Sequence, residues 1–188
     1  MTPFDFVVAF LSFIYTLALT HLLLSVARMV RFRRKIRFSI PHLLWMLCAV
    51  TVLVGNWTGL WDLHATREFT LGTITIALFF AIVQYVFCAL VSPEFDEHDG
   101  FDLTAFHRTQ YRTWAVASFA LMAAALVINV SVTGLGLNWV AENALVLAMM
   151  LCAIAVYVTP NRIVQIVAPL ILLGLLIAAP ILYSPVIK

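Results

Sequence analysis

Charge is what this chain has least of. Asp, Glu, Lys and Arg together make up 11% of its 188 residues, against 64% hydrophobic residues. A soluble domain is about half apolar and about a quarter charged, so a water-soluble fold with its own buried core is excluded. Cysteine is equally sparse. Cys48, Cys88 and Cys152 form no C-x-x-C pair and no ligand-like cluster, and they read as small apolar packing residues. The sequence contains no G-x-S-x-G and no H-E-x-x-H, the spacings that would place a nucleophile or a catalytic metal. It has no linker and no low-complexity run, so residues 1–188 read as a single domain without a catalytic role.

What the chain has instead is long apolar runs, at about 5–29, 40–61, 71–92, 113–134, 139–158 and 163–183. Roughly 18 or more residues almost free of charge read as a membrane-spanning helix. Backbone polar groups in lipid must be paired within the segment, and none of these runs alternates as a barrel strand would. The expected fold is an all-α membrane protein, a compact bundle of six transmembrane helices. A secretory signal peptide would carry basic residues before its apolar run and a small-residue cleavage site after it. Here Asp5 precedes the first run and arginines end it, so that run reads as a retained helix.

The eleven basic residues are unevenly placed. Arg28, Arg31, Arg33, Arg34, Lys35 and Arg37 lie in the first connection, Arg108 and Arg112 in the third and Arg162 in the fifth; Arg67 and Lys188 fall on the other side. The positive-inside rule makes the nine-residue side cytoplasmic and sends both termini outward. Trp45, Trp114 and Tyr157 at inner ends, and Trp57, Trp61, Trp139 and Tyr183 at outer ends, suit interfacial anchoring. Stripes of small residues predict close helix packing: Thr73, Ala77, Ala81, Gln84 and Cys88; Ala141, Ala144, Ala148, Cys152 and Ala155; and the GxxxG of Gly55 and Gly59. Pro169 predicts a kink in the last helix.

The longest polar passage, "SPEFDEHDGFDLTAFHRTQYRTW" at 92–114, is the first place to look for chemistry. An EF-hand loop needs glycine at position six and Glu at position twelve; placing Gly100 at six puts Phe95 first and Phe106 last, so the template fails. Zinc needs three or four nitrogen or sulfur ligands, and His98 and His107 have only carboxylates near them in sequence. The passage reads as a cytoplasmic connector with an interfacial helix at about 93–113, started by Asp102 as an N-cap. Arg108 and Arg112, four residues apart, share a face that suits lipid phosphates. The acidic residues Glu94, Asp96, Glu97 and Asp99 share their side of the membrane with the basic loop around Arg31, Arg33, Arg34 and Lys35.

Polar groups within the apolar runs are costly and therefore informative. Counted from the ends of their own helices, His21 and Gln84 form a cytoplasmic-half pair. Asn56, Asn129, Glu142 and Asn143 form an outer-half group that either seals helices together or lines an outward-opening polar pocket. A bis-histidine haem between His21 and His42 is disfavoured because His42 starts its helix while His21 lies well below the interface. No cofactor and no metal are expected.

The segments "THLLLSVARMVRFRRKIRF" leading into "PHLLWML", then "NWTGLWDL", and "DLTAFHRTQYR" resemble those of a group of uncharacterised small bacterial inner-membrane proteins, over about residues 15–115. The resemblance implies the bacterial cytoplasmic membrane as location and transfers no functional residue. The expected function is a non-catalytic membrane subunit. It would dock anionic lipid or a protein through its charged cytoplasmic loops, with a homo-oligomer or larger membrane complex as the assembled form and no nucleic-acid partner. The alternatives are a channel or facilitator for a small solute or ion using the polar pocket and, least favoured, a haem- or metal-binding membrane protein.

Overall fold

The computed structural model of the chain describes residues 3–61, 70–94, 100–134, 136 and 138–183. Asp62, Arg67, Asp96, Glu97, His98, Asp99 and Lys188 lie outside the described residues. The elements run α1 (Pro3–Arg31), β1 (Ile36–Arg37), α2 (Ile40–Thr58), α3 (Leu71–Val91), β2 (Phe101–Asp102), α4 (Leu103–Thr133), α5 (Trp139–Glu142), α6 (Ala144–Val158) and α7 (Arg162–Tyr183). Among the described residues the fold is all-α apart from one two-residue parallel ladder that pairs Ile36 with Phe101 and Arg37 with Asp102.

Among the described residues four helices are long and apolar enough to cross a membrane: Phe4–Arg31, Ile40–Trp61, Leu71–Val91 and Leu103–Val130. Even the 21 residues of α3 reach about 32 Å at 1.5 Å per residue, against a hydrocarbon core about 30 Å thick. The apolar stretches Ala144–Val158 and Arg162–Ala178 are shorter. The fifth apolar run is broken at Asn143, which ends α5 and begins α6. The fourth helix begins ten residues earlier than the apolar run predicts. From Leu103 onward the expected interfacial segment is the first part of α4, continuous with the span.

The helices pack as a ring: α1 against α3, α3 against α4, α4 against α6, α6 against α7, α7 against α2 and α2 back against α1, with α2 also reaching α3 and α4. The buried stripe of α1 shows why this sequence packs so. Val7, Leu11, Tyr15, Ala18, Leu22, Ser25 and Met29 recur every three or four residues, one face of a helix. Small residues are fully buried where helices meet, with Ala18, Ala49, Ala81 and Cys88 at 0% exposure, and they let the backbones approach. The outward faces are apolar as well: Phe6, Phe13, Phe79, Leu151 and Ile163 are each 61–68% exposed. Such a contiguous apolar exterior is foreign to a monomer in water.

Not every stripe read from the sequence faces inward. Ala141, Ala144 and Ala155 are exposed, and α6 buries Met149, Ala153 and Val156 instead. Gly55 and Gly59 are exposed, and a Cβ added at either would meet nothing within 4 Å, so the GxxxG joins no helices among the described residues. α7 runs through Pro169 as a helix, and the Pro169 carbonyl accepts from Cys48 Sγ at 3.3 Å.

Candidate functional site

Three connections meet at one end of the ring. The ladder of β1 and β2 joins the α1–α2 connection to the α3–α4 connection, with Phe101 N–H donating to the Lys35 carbonyl at 3.1 Å. Gly100 lies against the same carbonyl, where an added Cβ would make an ordinary contact at 3.4 Å. Arg37 and Asp102 form an exposed ion pair at 3.4 Å. Asp102 also caps α4: its Oδ1 accepts from the N–H of Thr104 at 2.7 Å and of Ala105 at 3.1 Å. The Ala105 N–H holds its carboxyl below the usual carboxylate range; desolvation opposes it as the next largest influence, and the Thr104 N–H and Arg37 add to the lowering. The α6–α7 connection joins the same end through His107, whose Nε2 lies 3.2 Å from Gln165 Oε1.

Nine basic residues are therefore carried to one end of the helices. Arg31, Arg33, Arg34, Lys35, Arg108, Arg112 and Arg162 are exposed there. Arg112 is the best organised of them. Its Nε donates to the Tyr111 hydroxyl at 3.1 Å. Its guanidinium lies 5.7 Å from the ring centroids of both Tyr111 and Tyr157, the second across the α4–α6 contact. Arg31 packs over Phe32 at 5.4 Å. Of the acidic stretch, Glu94 is exposed and Asp96, Glu97 and Asp99 lie outside the described residues.

The polar residues of the apolar helices separate into two seams. Asn56 Nδ2 donates to Gln84 Oε1 at 2.8 Å, joining α2 to α3, and Gln84 Nε2 donates to Cys88 Sγ at 3.3 Å. His21 lies beside Tyr85 instead, with ring centroids 6.2 Å apart. Asn129 Nδ2 donates to Asn143 Oδ1 at 3.1 Å, joining α4 to the α5–α6 break, while Asn143 Nδ2 donates to the Trp139 carbonyl at 2.9 Å. Glu142 is exposed. Of Asn56, Asn129, Glu142 and Asn143, grouped from the sequence, Asn129 and Asn143 meet as a pair, and Asn56 is bonded to Gln84 instead.

The sequence reading passed over the group beneath the three connections. His42, fully buried, has its ring centroid 5.3 Å from those of Phe106 and Trp114 and 6.3 Å from that of His107. His107 and Trp114 are 5.4 Å apart. Gln165 is buried below them, its Nε2 donating to the carbonyls of Val156 at 3.0 Å and Thr159 at 2.9 Å. The signal in the sequence was depth: His42, His107, Trp114 and Gln165 all fall near the ends of apolar runs that carry the basic connections. Among the described residues no group of three or more His, Cys, Asp or Glu side chains is arranged to hold a metal.

Comparison with known proteins finds no matching family model, no similar curated protein and no similar solved structure.

Proposed function

We propose that this chain is an integral protein of the bacterial inner membrane that docks anionic phospholipid headgroups through its basic end, as a non-catalytic subunit of a homo-oligomer or larger membrane complex. Six spans complete the bundle in this reading, with both termini outside. The four long helices cross unaided. The 22 residues of α7 extend about 33 Å, and the 15 of α6, about 22 Å alone, are extended by α5.

The observation that carries the reading is the meeting of three connections at one end, bringing together nine of the eleven basic residues. A cytoplasmic leaflet rich in anionic lipid attracts each basic residue near its surface by about 1 kcal/mol. A guanidinium fixed against two tyrosines loses less freedom on meeting a phosphate than a free one does.

The experiment has two arms. Reporters fused after Lys188 and within the 94–99 segment should be active outside and inside respectively; the reverse pattern would overturn the topology. In nanodiscs, replacing phosphatidylcholine by phosphatidylglycerol should raise the thermal stability of the protein. Glutamine at positions 31, 33, 34 and 35 should shrink that gain. A gain that survives in a correctly oriented variant would reduce the basic loop to a topology signal.

A further inference from the structure

The buried rings of His42, His107 and Trp114 carry polar atoms that nothing in the helical scaffold requires. His42 Nδ1 and Nε2, His107 Nδ1 and Trp114 Nε1 are buried with no hydrogen-bond partner among the described residues. His42 and Trp114 are fully buried and His107 is 5% exposed. The rings come from the start of α2 and the first turns of α4, and they form a triangle with centroid separations of 5.3, 5.4 and 6.3 Å.

Gln165 fixes the protonation pattern. Its amide nitrogen is committed to the Val156 and Thr159 carbonyls, so its oxygen faces His107. His107 therefore carries its hydrogen on Nε2, and Nδ1 presents a bare lone pair. Neutral His42 adds one N–H and one lone pair, and Trp114 adds one N–H. The triangle thus offers two donors and two acceptors.

That count selects the chemistry of an occupant. A cation would take the two lone pairs, strand both N–H groups and bring a charge that no carboxylate among the described residues is shown to balance. Among the described residues zinc would also lack its third and fourth ligands. A haem would need a slot between the imidazoles, where Phe106 and Trp114 instead pack on His42 at 5.3 Å. One water molecule can meet three of these atoms, donating to His107 Nδ1, accepting from Trp114 Nε1–H and bonding one of the two His42 nitrogens, which point away from each other across the ring. An oxygen between two rings 6.3 Å apart can reach a nitrogen of each at an ordinary hydrogen-bond length of about 2.9 Å.

We propose that His42, His107 and Trp114 enclose a binding site for a water molecule, which closes a polar relay from the α6–α7 connection through Gln165 and His107 to the start of α2. The site holds the basic connections together at their base. It does not depend on what those connections dock.

Imidazole nitrogen NMR of the protein in nanodiscs should find His107 in the Nε2–H form and exchange between His42 and a slowly exchanging water. His42→Phe and Trp114→Phe should each lower Tm. The double variant should fall no further than the worse single variant, because both lose the same water. A rise in Tm in both variants would overturn the site, since it would mean dry, stranded nitrogens removed at a gain. So would one equivalent of metal retained by the purified protein and lost with His42→Phe. Where a variant fails to fold, the spectrum of the unaltered protein decides: a His42 ring without contact to water also overturns the site.

Discussion

Asn56 and Gln84 are hydrogen-bonded at 2.8 Å across the α2–α3 contact, although each sits at a different distance from the end of its own helix. Gln84 is fully buried, so removing its partner strands a carbonyl oxygen where water does not reach. Asn56→Leu should destabilise the protein by about 1–3 kcal/mol. Adding Gln84→Leu should recover part of that loss, with a coupling energy of about 0.5–2 kcal/mol in a double-mutant cycle. Equilibrium unfolding in mixed micelles measures it, and strict additivity would deny the bond any energetic role.

The pair Arg37–Asp102 makes the junction of the two charged connections sensitive to acid. The Asp102 carboxyl is held below its ordinary value, chiefly by the Ala105 and Thr104 N–H groups. The stability it contributes is therefore complete above the unfolded value of about 3.9 and is lost as pH falls through the lower folded value. Asp102→Asn should remove this component. The difference in Tm between the two proteins should be constant at neutral pH and shrink below about pH 4. A difference that is flat across the acid range would detach the cap from the charge.

How far the sequence can be read is clear from these same residues. Apolar runs located the helices, because the length of a run free of charge is a property of the chain itself. Asp102 announced its helix, because capping is local. The partners of Gln84 were not legible, and the reason is geometric. Depth had been counted from each helix's own end, but α3 stops inside the end of α1. Ser25, six residues before Arg31, already donates to the Pro93 carbonyl at 3.2 Å. Gln84 therefore lies deeper than its distance from Pro93 suggests, and it meets Asn56 rather than His21. The His42–His107 contact was hidden for a related reason. It joins residues 65 positions apart, and only the packing of α4 on α2 brings them together.

Gly55 and Gly59 present a flat, exposed strip on α2. An added Cβ meets nothing at either position, and Gly55 lies inside the helix. Gly55→Ala should raise the stability of the single chain by up to about 1 kcal/mol through helix propensity alone. If copies of the chain associate through this strip, the same substitution blocks close approach and lowers the assembled mass in detergent while the fold is kept. Light scattering alongside thermal unfolding separates the two effects. A loss of stability in the single chain would contradict the open space around the glycine.

Among the basic residues, Arg112 should matter out of proportion to its charge. Arg108 lies one turn away on the same helix and is equally exposed. Arg112 is braced, by the Tyr111 hydroxyl at 3.1 Å and by two aromatic rings at 5.7 Å. A braced guanidinium keeps its terminal N–H groups aimed, whereas a lysine at the same place offers a mobile point charge. Arg112→Lys should therefore reduce phosphatidylglycerol retention in native mass spectra several-fold, a change of about 1 kcal/mol by the usual conversion. Arg108→Lys should leave retention nearly unchanged. Tyr157→Leu removes one face of the brace without touching charge, and it should reproduce the Arg112→Lys result in direction. Equal responses to substitution at 108 and 112 would mean that the basic end attracts lipid by its summed charge alone. In that case the effect of every substitution should vanish together as salt is raised and the Debye length falls to about 3 Å near 1 M.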